Sequence, residues 1–376
     1  MLLLLGIRGF LALYSLSVFT VGISYFSLEA YGSMMISVSV FALCARIISF
    51  GCDYKIRDLI EDHGVTLVDV LIVKLILAAT VTLCIFVYHL VFGPIEYIGL
   101  MVVAFFVYSF DTMPYFQAKD RYEKPAFLVL GSLVIGSVFL WNELNAGSLT
   151  RVQFLAACIL VPSFGWVLVS LREIFEERLK PDISKCQAIM REAFAMFTVA
   201  QLPGLYVNVI PIIVGLQSEV YVAMYSIVLR ISNFGKSFGQ VVNQVFFYKT
   251  NNGRSSSNVL ISILGSLIVG TVCSYLIFNY FSQKLGGSFE SVGELMMLVA
   301  LFSIMGAAAN FLIIKVFFEN RLYIQYRNRA FFIIVIPVSL FGFLNLSPEL
   351  VFLVHLSIEA SLMFLCLYFG SRKLNS

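Results

Sequence analysis

The sequence predicts an all-α polytopic membrane protein of about twelve transmembrane helices in two six-helix lobes, both termini cytoplasmic. Three observations lead there. Of 376 residues, 60% are hydrophobic and only 12% charged, whereas a soluble domain needs roughly a quarter of its residues charged to cover its surface. Apolar windows of about 20 residues, the length that crosses a bilayer, recur along the whole chain. Basic residues collect on alternate loops, as the bias of cytoplasmic loops toward Lys and Arg requires.

The spans read, in order, 1–25, 33–52, 66–90, 97–116, 126–141, 152–171, 193–215, 221–247, 259–281, 295–318, 330–344 and 350–370. Met1 runs into LLLL without a basic leader or a small-residue cleavage site, which predicts a retained first helix rather than a signal peptide. FGPIE (92–96), QAKDRYEKP (117–125) and NELNAGSLTR (142–151) break the first half by combining charge with Gly or Pro. KTNNGRSSS (249–257) and LSPE (346–349) do the same in the second half. With the N-terminus inside, the inner loops hold seventeen Lys and Arg, and the outer loops hold only Arg151 and Lys284. A miscounted span would mix those two sets. The seven cysteines all lie in spans or on the inner side, so no disulfide is expected.

The longest break, REIFEERLKPDISKCQAIMRE (172–192), divides six spans from six. The domains are therefore read as 1–171, a cytoplasmic linker 172–192, and 193–376. Two such halves predict a repeat at an offset of about 188, and LEAYGSMMISV (28–38) resembles SEVYVAMYSIV (218–228), matching Glu29 with Glu219, Tyr31 with Tyr221 and Met34 with Met224.

Charge within the spans is mostly positive. Arg8, Arg46, Lys74, Arg230, Lys236 and Lys315 face few acids, chiefly Asp111 and Glu359, with Asp69 near an inner end. A charge at the bilayer centre costs about 2.5–3.5 kcal/mol on insertion scales, so such groups face a bundle interior or a water cavity. Lys315 is placed to snorkel; Arg8, Arg46, Arg230 and Lys236 read as too deep for that. Span eight contains YSIVLRISNFGKSFGQVVNQVFF (225–247). At about 100° per residue, Ser226, Arg230, Asn233, Ser237, Gln240 and Gln244 fall within about 40° of one line, over some five turns. Two readings stand: polar residues that hold neighbouring helices together, and the lining of a water-filled cavity. Span seven carries Gln201 and Asn208 on one face, with Pro203 and Pro211 able to bend it. A cavity with more bases than acids favours an anion, and guanidinium suits phosphate oxygens.

His355 and Glu359 share a face of span twelve at i,i+4. They read either as a site coupling transport to H+ or Na+, or as a structural pair; Asp111 carries the same ambiguity. The sequence has no GxxxxGK[ST] phosphate loop, and its three histidines make no metal site by spacing. No cofactor is expected.

SLEAYG (27–32), the helix end IISFGCDYKIRDLI, DTMPYFQAKDRYEKPA (111–126) and EVYVAMYSIVLRISNFGKSFGQVV together resemble the Wzx-type lipid-linked oligosaccharide flippases of the multidrug/oligosaccharidyl-lipid/polysaccharide exporter superfamily. The resemblance covers essentially the whole chain through loose motifs. It implies two lobes in an inverted V around a cationic cavity, in a bacterial inner membrane. The implied cargo is an undecaprenyl-diphosphate-linked oligosaccharide, moved by alternating access; the implied partners are membrane lipid, a polysaccharide polymerase and glycosyltransferases. Arg8, Arg46, Arg230 and Lys236 would attract the diphosphate. Asn233, Ser237, Gln240, Gln244, Gln201 and Asn208 would bond sugar hydroxyls. A drug or cation antiporter of the same superfamily would place acids in that cavity. A membrane polymerase or glycosyltransferase would need a large or carboxylate-rich outer loop, which this sequence lacks; the expectation is a transporter, not an enzyme.

Overall fold

A computed structural model describes residues 2–230, except 93–95, 120, 122, 178–179, 198–201, 216 and 228, together with single helical positions at 268, 272, 275 and 279. Among the described residues every regular element is helical. The chain groups into two units, Ser17–Gly215 and Met1–Leu16 with Leu216–Ser376. Spans nine to twelve of the sequence reading lie outside the described residues, apart from the four single positions in span nine.

The helices are α1 (Leu2–Tyr25), α2 (Leu28–Ser49), α3 (Cys52–His63), α4 (Leu67–Phe92), α5 (Ile98–Ser109), α6 (Met113–Ala118), α7 (Glu123–Ala146), α8 (Arg151–Ile159), α9 (Val161–Glu177), α10 (Ile183–Met196) and α11 (Leu202–Gly215). Among the described residues, four stretches are long and apolar enough to cross a membrane: Leu28–Ser49, Leu67–Val91, Ile98–Phe116 and Phe127–Ala146. The pair α8–α9, bent by 51°, makes a fifth. Pro162, two residues after the break at Leu160, supplies the cause, because its ring cannot continue the hydrogen-bond ladder of α8. This is a helical membrane protein.

Starts and stops follow local chemistry. Ser27 caps α2 by accepting the Ala30 N–H at 3.3 Å. Thr150 and Gln153 form a capping box at α8, the Thr150 N–H donating to Gln153 Oε1 at 2.7 Å and the Gln153 N–H to Thr150 Oγ1 at 3.3 Å. Phe50 at φ 47° and Gly51 at φ 74° turn the chain from α2 into α3. A Phe in the left-handed region is strained; its ring is held by Phe197 at 5.2 Å and Phe194 at 5.9 Å.

Two kinds of packing build the Ser17–Gly215 unit. Within the membrane, α7 and α9 approach so closely that a Cβ on Gly165 would sit 2.6 Å from Val129 Cα and 2.8 Å from Ser132 Oγ. Small residues at such seams let helix backbones meet where lipid gives no hydrophobic drive. On α2, Phe41 stacks on Phe105 of α5 at 5.9 Å, while Tyr31 and Met34 are fully buried.

The second kind lies at one end of the spans. The short inner loop after span two and the charged break 172–192 hold the helices α3 and α10, which pack on each other, α3 also on α6 and α10 on α4. Helix α10 runs on to Met196, so the first residues of the span read as 193–215 belong to it, and α11 starts at Leu202. Buried Cys52, Ile56 and Leu59 mark the inward face of α3; buried Ile189 and Ala193, flanked by Cys186, mark that of α10. Segment 172–192 is thus the end of α9 and the start of a packed helix.

Candidate functional site

The best-defined polar cluster among the described residues sits where the fourth span breaks. Ser109 ends α5, α6 begins at Met113, and the backbone between them is irregular. At membrane depth such backbone must be satisfied by protein. Lys74 of α4, 2% exposed, donates from Nζ to the Asp111 carbonyl at 2.7 Å. Its ammonium therefore stands at the carbonyl end of α5, where the helix dipole favours a cation. Ser109 Oγ donates to the Phe105 carbonyl at 3.0 Å and to the Lys74 carbonyl at 3.3 Å. Thr112 Oγ1 and Ser170 Oγ share a hydrogen bond of 2.8 Å, joining α9 to the break. Lys74 does not snorkel; it holds the kink.

Asp111, the described member of the coupling set, lies in this break. Its Oδ1 accepts the Met113 N–H at 3.4 Å, opening α6, and its side chain is half-buried. His355 and Glu359 lie outside the described residues.

For the substrate set the placements differ residue by residue. Arg8 is on α1, in its second turn, with its side chain outside those described. Arg46 is half-buried in the last turn of α2, four residues before the C-cap Phe50, whose N–H bonds the Arg46 carbonyl. The span read as 33–52 runs 28–49, so Arg46 lies three residues from its end rather than six. A cation there meets the carbonyl end of the helix and the headgroup level together.

Asn208 lies midway along α11, which packs along α2. Its Nδ2 is buried and has no hydrogen-bond partner among the described residues. Three residues on, Pro211 sits inside the same helix and removes one backbone donor. Pro203 occupies the first turn of α11, where proline is tolerated, and so marks its start rather than a bend. Gln201 lies outside the described residues.

In the other unit, residues 219–227 and 229–230 are helical, and 222–227 are all buried. Ser226 does not reach out as part of a polar stripe: its Oγ donates to the Ala223 carbonyl at 2.8 Å. Arg230 is half-buried with its Nε shielded from solvent. Asn233, Lys236, Ser237, Gln240 and Gln244 lie outside the described residues. Helix α2 starts at Leu28 and the helix of the matched segment at Glu219, with Glu29 and Glu219 exposed and Met34 and Met224 buried.

One polar centre escaped the sequence reading. Asp69, fully buried near the start of α4, accepts the Thr66 N–H at 2.9 Å, the Thr66 hydroxyl at 2.7 Å and the Asp182 N–H at 2.8 Å. Lys185 Nζ donates to the Gly64 carbonyl at 2.8 Å, and His63 pairs with Glu192 at 2.9 Å. Burial among acids pushes the Cys186 thiol above its ordinary value, desolvation acting first and Asp69 next. The signal that could have found this centre is Thr-x-x-Asp at 66–69, a local cap pattern.

No protein-family model, curated protein or solved structure matches this chain.

Proposed function

We propose that this chain is a flippase that carries a lipid-linked oligosaccharide diphosphate across a bacterial inner membrane by alternating access. The observation that carries the reading is the one-sided charge of the polar spans. Arg8, Arg230 and Lys236 stand in apolar sequence with few acids to balance them, and Arg230 is half-buried in a helix whose residues 222–227 are buried. Cations so placed attract a diphosphate. Asn208, with a buried amide donor on a proline-containing helix, supports a role in bonding sugar hydroxyls. Asn233, Ser237, Gln240, Gln244 and Gln201 extend that role along the sequence. Arg46, at the end of α2, serves the inner mouth, where it meets the headgroup before translocation. The prenyl tail stays in lipid. Asp111, His355 and Glu359 are the groups available to couple the cycle to H+ or Na+.

The test is surface-glycan export in cells that depend on this protein. Arg230→Ala combined with Lys236→Ala abolishes export on this reading while the protein still reaches the membrane. Normal export from that double variant refutes it. Appearance of new glycosidic bonds with purified protein and lipid-linked sugars would place the chain among the enzymes instead.

A further inference from the structure

Helix α10 runs between two landmarks on the same side of the membrane. At its start, the Asp182 N–H is bound to Asp69 beside the beginning of α4, and Lys185 to the Gly64 carbonyl. At its end, Phe194 and Phe197 lie against Phe50, the residue that closes α2. Both landmarks are ends of membrane-crossing helices, joined to each other by α3. A helix that touches two span ends of the same side, running back along α3, lies in the plane of the membrane surface.

Its apolar arc is wider than the protein that covers it. Cys186, Ile189 and Ala193 face α3 and α4. Beside them, at about 100° per residue, Ile183, Met190 and Phe194 fall within about 40° of one line. That second edge is exposed among the described residues, Ile183 at 78%, Phe194, beside Phe50, at 56% and Met190 at 38%. Arg191 and Ser184, also exposed, follow on the polar side.

What covers the edge is indicated by α9. Phe164, Leu168, Leu171 and Phe175 form one exposed line down that helix, which belongs to a membrane-crossing pair, so the line faces acyl chains. It ends at Phe175, and the chain reaches Ile183 eight residues later. We propose that α10 is an interfacial helix, with its Ile183–Met190–Phe194 edge immersed at the headgroup–acyl boundary of the bilayer. An amphipathic helix at this level seats its apolar face about 5–10 Å into that boundary. The occupant is lipid, and the proposal is independent of the cargo.

The test uses the full chain in nanodiscs made with lipid brominated high on its acyl chains. Single variants Ile183→Trp, Met190→Trp and Phe194→Trp are each compared with the unsubstituted chain, and Arg191→Trp serves as the aqueous-face control. Added fluorescence at 183, 190 and 194 is quenched by the brominated lipid at least about twofold more than at 191, and resists aqueous iodide, as boundary insertion requires. Stronger iodide quenching at those positions than at 191 overturns the proposal. Protection from both quenchers also overturns it, because protein then covers the edge. Three positions are used so that one misfolding variant leaves the outcome readable.

Discussion

The α7–α9 seam and the α3–α10 layer are both antiparallel helix contacts, yet opposite forces hold them. The seam contains a glycine where backbones almost touch, the Cβ position of Gly165 facing Val129 Cα and the Leu128 carbonyl of α7. The layer is fastened by a buried carboxylate with three donors and by a lysine on a backbone carbonyl. Their surroundings explain the difference. Lipid offers a helix the same apolar contact as another helix, so only closeness discriminates. At the membrane edge water competes for every polar group, and a helix is held there by hydrogen bonds that water cannot reach.

The comparison breaks first at the seam. Gly165→Leu drives a branched side chain into Val129 Cα and the Leu128 carbonyl, neither of which can move without displacing α7. The expected outcome is loss of folded protein, read as aggregation in detergent on size-exclusion chromatography. Gly165→Ala should be milder, about 1–3 kcal/mol by thermal unfolding, the range for overpacked cores.

The layer should break next, and differently. Asp69→Ala leaves the Thr66 and Asp182 N–H groups and the Thr66 hydroxyl without their acceptor. Unmet buried donors cost about 1–3 kcal/mol each, but water at the membrane edge recovers part of that. The expected effect is α10 released from α4 with the spans intact. Proteolysis between 178 and 200 should rise sharply while helix content changes little. Equal loss of both would show that the layer and the spans fold as one unit.

Lys74 stands between these extremes, a charge inside the membrane that behaves as part of the layer. Lys74→Met removes the desolvated charge but strips the Asp111 carbonyl of its donor. Replacing a buried ion by an apolar isostere is often neutral, and a lost hydrogen bond costs about 0.5–1.5 kcal/mol. A modest fall in unfolding temperature is expected, clearly smaller than for Asp69→Ala. An equal or larger fall would show that Lys74 supports more than the kink.

The same contrast marks what was legible in the sequence. Apolar stretches of bilayer length announce themselves, and α1, α2, α4, the α5–α6 pair, α7 and the α8–α9 pair lie where hydropathy put them. Helices α3 and α10 do not, because their charge hides the apolar spacing of one face. Their signal was present as three- and four-residue spacing at Cys52, Ile56 and Leu59, and at Cys186, Ile189 and Ala193. Arg46 reads as deep when its span runs 33–52; with Ser27 and Phe50 capping the helix, it lies three residues from the end. For Lys74 no sequence signal existed. Its partner is a backbone carbonyl 37 residues away, and a carbonyl has no identity in the sequence. Ser226 shows the limit of counting polar residues on a helical face. A hydroxyl bonded to its own helix needs no cavity.

The smallest effect sharpens the account of the layer's edge. Asp182 caps α10, its Oδ1 accepting the Ser184 hydroxyl at 2.6 Å and the Ser184 N–H at 2.9 Å. These bonds, the hydroxyl's first, hold its carboxyl below the ordinary value of 3.8. A carboxyl with a lowered folded-state value adds stability that is fully present above the unfolded value. That stability is lost as pH falls through the folded one. The wild-type unfolding temperature should therefore decline below about pH 4, and Asp182→Asn should flatten part of that decline while lowering the plateau at neutral pH slightly. Since Asp182 is at the water edge, salt and solvent screen it, and the change is the least of the series. An acid limb unchanged by Asp182→Asn would show that the cap is not its source, and would leave the fastening of α10 to the hydrogen bonds at its foot rather than to the charge of its cap.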